Sequence, residues 1–235
     1  MNSRSAAVAL LVLFSLGGVG AADANEIGFY IGGQYGQVTK DGDEKLFDDF
    51  AFDVYDFFFY TPVERRTSFD DQDSAFSILV GYRLTRHLAF EGGYTELGQL
   101  SYRATSSGAF RNDLGTLDVI FDSETSGFQL SVLGILPVTR NWELYGRAGA
   151  LTATNRFSVN IRPRGEIFAN PGGDETEDAF SESSTEWFVG AGASMRFLEI
   201  YDLRLDYQHI PDAGTEQTGG VGDINVLTLG ILVTF

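Results

Sequence analysis

The chain has 235 residues, no cysteine and a formal net charge of −17 at pH 7. That length accommodates one all-β domain. The lack of thiols excludes a disulfide framework and a lipidated cysteine, and the acidity argues against nucleic acid, whose phosphates need a basic surface.

In chain order, residues 1–24 read first as a secretory signal peptide. Arg4 and the free amine supply a positive start, residues 6–14 form a short apolar stretch, and Ala22-Asp23-Ala24 offers a small-x-small cut before Asn25, with Ala21 as a second possible site. From there to residue 235 the recurring signal is two-residue alternation, the period of a strand. It marks eight segments: 27–38, 74–83, 88–98, 127–137, 142–153, 186–197, 202–209 and 223–235. Most approach the length of a tilted membrane-crossing strand, and no run is long and apolar enough for a transmembrane helix. The connections alternate between tight turns near 84–87, 138–141 and 198–201 and long loops at 39–73, 99–126, 154–185 and 210–222. Much of the acid lies in 40–73 and 166–186. Short turns on one side and long loops on the other is the layout of an outer-membrane barrel, and so many long loops would be unusual in a soluble sandwich.

One parity of each strand is apolar, as in Leu227, Leu229, Ile231, Val233 and Phe235, or Trp187, Val189, Ala191, Ala193, Met195 and Phe197. The other parity carries Glu91, Glu143, Arg147, Arg196, Asp202, Arg204, Asp206 and Gln208 among Gly, Ser and Thr. On the apolar parity the aromatics fall at two heights. Phe29, Tyr82, Trp142, Phe197 and Phe235 lie at the short-turn end, and Phe76, Tyr94, Phe128, Trp187 and Tyr207 lie towards the long loops. Two aromatic belts around an aliphatic band suit a lipid-facing surface, and hydrocarbon demands closure because an open edge would leave peptide groups unpaired. The expected fold is an all-β, eight-stranded antiparallel up-and-down transmembrane β-barrel of the bacterial outer membrane.

Several motifs carry a family resemblance. Phe29-Tyr30-Ile31-Gly32-Gly33-Gln34, Leu88-Ala89-Phe90-Glu91-Gly92-Gly93-Tyr94, Trp142-Glu143-Leu144-Tyr145-Gly146-Arg147-Ala148-Gly149, Leu203-Arg204-Leu205-Asp206-Tyr207-Gln208 and the final Leu227 to Phe235 resemble the OmpA transmembrane-domain family. Their order and spacing cover nearly all of 25–235 apart from the long loops. The resemblance implies that Glu91, Arg147 and Arg204 form an inward ionic cluster. It also implies that Leu133 and Ser194 stand where the family has a second inward pair, a Lys and a Glu, a departure that argues against gating of the family's type. The family's periplasmic peptidoglycan-binding domain is not expected, since the sequence stops at Phe235. That last Phe resembles the signal read by the barrel assembly machinery.

The candidates for chemistry are few. His87 reads as a polar turn residue. His209 sits in a context somewhat like the His-x-Ser of lipid A deacylases, but Pro211 holds the serine position and supplies no nucleophile. Asp41-Gly42-Asp43-Glu44 lacks the ligand spacing of an EF-hand. Residues 46–60 are unusually aromatic for a loop. At helical spacing Phe47, Phe50, Val54, Phe57 and Phe58 share a face opposite Asp49, Asp53 and Asp56, a pattern that fits an interfacial helix, strand extensions or a partner contact. Phe157, Val159 and Ile161 alternate similarly, and there a strand extension is the plainer reading. The expected function is a non-catalytic one in envelope integrity and surface interaction. No cofactor is expected, and the partners are outer-membrane lipid, lipopolysaccharide and the assembly machinery, the protein itself being a monomer. A narrow channel or small-solute carrier is the alternative, weakened by apolar lumen residues Leu133, Ile135 and Leu232 in an eight-stranded barrel whose side chains already fill it.

Overall fold

The computed structural model describes residues 27–40, 48, 49, 51, 53, 61–70, 72–110, 113–165, 176–213 and 222–235. The strands are β1 (Gly28–Lys40), β2 (Thr61–Asp70), β3 (Gln72–Thr85), β4 (Leu88–Phe110), β5 (Asp113–Pro137), β6 (Trp142–Gly165), β7 (Thr176–Leu198), β8 (Tyr201–Ala213) and β9 (Gly222–Thr234). Antiparallel pairing runs from β1 to β3, then through β4, β5, β6, β7 and β8 to β9. The ring closes where β9 meets β1, from Tyr30 opposite Thr234 to Lys40 opposite Ile224. β2 pairs with the upper half of β4 and, among the described residues, prolongs the line of β3. The barrel therefore has eight staves, as the sequence pattern predicts, with β2 an outward continuation of the second.

The alternation of the sequence becomes an alternation of environment, because successive side chains of a strand point to opposite faces. In β3 and β9 buried and exposed residues alternate through the central part of each strand. The exposed row is the apolar one: Phe128 and Leu130 are 70% and 72% exposed, and Leu205, Leu227, Leu229 and Ile231 are also open. The buried row holds Gln34, Glu91, Arg147, Arg204 and Asp206. Polar inside and apolar outside is stable only if the surroundings are lipid. Phe29, Trp142, Phe197 and Phe235 are exposed at the short-turn end, and Phe76, Phe128, Trp187 and Tyr207 towards the other. Phe29 packs on Tyr82 with ring centroids 4.6 Å apart, and Tyr94 meets Phe128 edge-on at 5.2 Å. Such cross-strand aromatic pairs stitch neighbouring staves together.

The strands run further outward than the sequence pattern predicts. Much of 99–126 and 154–185 is ladder rather than loop, with Tyr102 opposite Phe121, Val119 opposite Ile161 and Ile161 opposite Thr176. The physical reason lies in the outward row. Beyond the membrane it becomes Arg103, Asp122, Ser158 and Asn160, so the apolar alternation fades although pairing persists. The inward row stays largely apolar there, and Tyr102, Ala104, Leu117 and Val119 pack with Ala51, Phe121 and Ile161. β4 passes between the two regimes at a bulge between Glu96 and Gln99. Gly98 sits there with a φ of 61°, a left-handed conformation that glycine adopts without strain. Asp73 fixes the bulge by accepting the Gln99 N–H at 2.7 Å.

Outward-facing positions should thus respond to charge according to height. Leu229→Arg, among lipid, is expected to cost roughly 2–4 kcal/mol, whereas Ser107→Arg, exposed on the outward extension of β4, should stay within about 0.5 kcal/mol. Equilibrium urea unfolding of the barrel in lipid would measure both. Equal penalties would contradict the placement of the upper strands in water.

Candidate functional site

The lumen is filled in layers. At the short-turn mouth, Arg83 grips Glu143 with two hydrogen bonds of 2.8 and 3.0 Å. Arg196 grips Asp202 in the same manner at 2.7 and 2.8 Å. Paired forks of this kind hold their geometry better than single contacts. Between them lies a cavity of about 30 Å³ walled by Tyr30, Tyr145, Arg204 and Leu232 among others, enough for ordered water. The next layer is apolar: Leu79, Ala89, Leu133 and Leu232 pack against the rings of Tyr30 and Tyr145, with Ile135 at the margin.

Above it the structure brings together the three charges singled out in the sequence. Arg204 Nη1 donates to Glu91 Oε1. Arg147 approaches the other carboxylate oxygen at 3.6 Å, an ion pair too long for a hydrogen bond. The sequence reading did not assign Asp206 to this cluster. It pairs with Arg147 at 3.2 Å and accepts the Tyr145 hydroxyl proton at 2.5 Å. Tyr30 donates to Glu91 at 2.7 Å, and Arg147 donates to Ser131 at 3.0 Å. Two carboxylates face two guanidiniums, so the quartet is neutral, and every member is buried. The Arg204 guanidinium also lies over the Tyr145 and Tyr30 rings, 4.8 and 5.7 Å from their centroids, while Arg147 lies 5.2 Å from that of Phe188. Planar cations on ring faces gain electrostatically where water is excluded.

Two glycines make room for this arrangement. A Cβ at Gly81 would meet the Tyr30 ring at 2.1 Å, and one at Gly192 the Tyr145 hydroxyl at 2.2 Å. Each tyrosine lies across the bare backbone of a neighbouring stave and so reaches its carboxylate.

The outer part of the lumen is capped by Val38, Leu97, Leu151, Phe157, Phe188 and Ile210, with Ile224 and Val226. Lys40 enters this cap from the top of β1, beyond the lipid-facing row that ends at Tyr35. It is 1% exposed and donates to Gly98 O at 3.1 Å and Thr125 Oγ1 at 3.2 Å. Desolvation brings its ammonium down to about 8 from the ordinary lysine value, against the upward pull of Asp73 and Glu124.

The other candidates fall apart from this stack. His87 lies in the β3–β4 turn, its Nδ1 3.1 Å from Ile135 O. His209 faces outward with Nδ1 2.9 Å from Asn225 Oδ1 and Nε2 3.9 Å from Asp223, and Pro211 follows it on β8. Of the aromatic segment, Asp48, Asp49, Ala51 and Asp53 are helical, and Tyr102 donates to Asp48 at 2.6 Å. Phe47, Phe50, Val54, Phe57 and Phe58 lie outside the described residues, as do Asp41 to Glu44 and residues 1–24. Phe235 is exposed and its N–H donates to Phe29 O at 2.9 Å.

The family model described as the OmpA-like transmembrane domain matches residues 23–235. The outer membrane protein A of Serratia marcescens is 24% identical over 160 residues, 66% of this chain and 38% of that protein. That of Yersinia pseudotuberculosis is 24% identical over 157 residues, with the same coverage. The chain thus spans 38% of the length of these relatives. Among solved structures, Neisserial surface protein A aligns with a TM-score of 0.44 at 17% identity, covering 92% of this chain and 100% of that one. The N-terminal barrel of Pseudomonas aeruginosa OprF aligns at 0.42 and 14%, covering 89% and 100%.

Glu91→Ala leaves a guanidinium without its carboxylate and is expected to lower stability by roughly 3–5 kcal/mol. The double variant Glu91→Ala/Arg204→Ala should recover part of that loss, since both charges leave together. Strictly additive losses in a double-mutant cycle would show that the two residues are not coupled. For Lys40, the unfolded chain holds its proton up to the ordinary lysine value while the folded chain releases it near 8. Between those values the unfolded state binds more protons, so stability rises with pH. Relative to Lys40→Met, the wild type should gain up to about 3 kcal/mol from pH 8 to pH 10.5. Parallel stability curves for the two proteins would contradict this.

Proposed function

The chain belongs to the OmpA-like transmembrane domain family, integral β-barrels of the bacterial outer membrane, and from that premise we propose that it is a non-catalytic protein of envelope integrity and surface contact. The observation that carries this reading is the filling of the lumen, a neutral ion quartet packed among apolar clusters and closed at the mouth by two further ion pairs. An eight-stranded barrel is only just wide enough for its side chains, and here those side chains bond to one another rather than to a passing solute. Catalysis at His209 lacks support, because Pro211 occupies the place where a hydroxyl nucleophile would serve.

On this reading the short turns face the periplasm and the prolonged staves β4 to β7 rise into the medium. Their outer segments, with the acidic connections, are what another surface meets. Lipopolysaccharide surrounds the outer belt, Phe235 serves the assembly machinery, and the segment 1–24 is removed on export.

Planar-bilayer recording of the refolded barrel should show no sustained open state. A steady open conductance would replace the sealed reading with the channel. In cells, loss of the protein should raise sensitivity to detergent, with recovery on re-expression of the full chain. Unchanged sensitivity would remove the envelope role.

A further inference from the structure

The lipid-facing wall is not evenly clad. Across β3 to β6 it sinks into a depression of about 410 Å³. It is lined by the partly exposed backbone at Gly92 and Gly149, the small side chain of Ala148, and Tyr82, Phe90 and Val132. The thin cladding continues towards the short turns. A Cβ built on Gly134 would touch nothing within 4 Å, and one on Gly146 only Gly190 O at 3.9 Å. Gly134 and Gly146 are direct partners across β5 and β6, so the thin cladding reaches one pair further towards the turn, below which exposed Leu136 and Leu144 resume the apolar row.

The charge at its lower end is equally local. The two turns beneath the depression carry Arg86 and His87 between β3 and β4, and Arg140 between β5 and β6, all exposed. They are tied together, since Ile135 of β5 donates its N–H to His87 O at 2.8 Å. The remaining short turn, between β7 and β8, carries exposed Glu199 instead. In a chain of net charge −17, a cationic rim directly below an apolar furrow is a combination that matches one kind of molecule.

We propose that this furrow seats a phospholipid of the leaflet nearest the short turns, with an anionic headgroup held by Arg86 and Arg140 and an acyl chain lying over Gly92, Gly134, Gly146 and Ala148. Exposed basic residues at a membrane surface attract anionic headgroups, and a tail that fills a groove regains contacts that a bare backbone otherwise lacks. The outer-membrane reading above enters only in naming that leaflet periplasmic.

The test reconstitutes the intact barrel in nanodiscs of phosphatidylcholine with phosphatidylglycerol as the minor component. Lipid retained after gentle release is then weighed by native mass spectrometry. The wild type should keep one phosphatidylglycerol, enriched several-fold over its share. Arg86→Ser/Arg140→Ser should keep lipid without headgroup preference, Gly92→Leu/Ala148→Leu should keep none, and Glu199→Gln should match the wild type. Folding of each variant is checked by heat-dependent gel mobility, and the turn variant alone decides the matter if the filled groove prevents folding. Absence of enrichment in the wild type, or enrichment that survives the arginine changes, overturns the proposal. So does a dimer that vanishes on filling the groove, which would give the furrow to a second copy. Both leaflets of the disc hold the same lipids, so the result does not depend on which way the barrel faces in cells. Protease access to whole cells reports that orientation separately.

Discussion

Hydrocarbon offers no partner to a peptide group. A chain that crosses it as strands must therefore bond every stave on both sides, and that requires a ring. Once β9 is bonded to β1, the rest is constrained. A closed sheet has an inside and an outside, successive residues face one or the other, and the outside must be apolar because lipid covers it. Polar groups that the chain carries across the membrane have only the lumen to enter. There they meet little water, so each must find its partner among the others.

The quartet of Glu91, Asp206, Arg147 and Arg204 is the outcome of that requirement. A single carboxylate or guanidinium in so narrow a space would be costly, and two of each cancel. The tyrosines complete the arrangement: Tyr30 and Tyr145 each donate to one carboxylate while offering a ring face to Arg204. The apolar clusters packed around it leave little beyond the small cavity at Arg204 for water, which strengthens its attractions and makes the loss of any one member more expensive. Gly81 and Gly192 take part by having no side chain.

Legibility in the sequence follows the same physics. The membrane-crossing staves stood out because lipid enforces strict alternation, as in Leu227 to Phe235. Glu91, Arg147 and Arg204 were found because charges are conspicuous on strands otherwise rich in Gly and Ser, and the resemblance placed them inside. Asp206 shares that face and was visible as inward, but its contact with Arg147 depends on the register from β6 through β7 to β8, which no local pattern encodes. Nothing in the local pattern marks Tyr30 and Tyr145 as carboxylate partners, and the glycines beneath them are evident only across a ladder. The outward reaches of β4, β5 and β7 were obscured because water imposes no alternation on their outer face; in β6 the inward Phe157, Val159 and Ile161 kept enough alternation to show the extension. Lys40 passed for loop acid's companion, since nothing in its neighbours announces that Val38 and Leu97 will close over it.

The closing seam has a consequence for how such a chain can come to exist. Gly32 bonds opposite Leu232 and Gln34 opposite Gly230, so the first stave has no second neighbour until the last one arrives. Contacts between residues so distant in sequence form late, because the entropy of bringing the ends together is lost before any bond compensates it. No intermediate with fewer staves is free of open edges, and in the aqueous space before the membrane such edges invite other chains. Closing the seam is therefore the step on which every stave depends, and it is least hazardous where lipid is already at hand to cover the outer row.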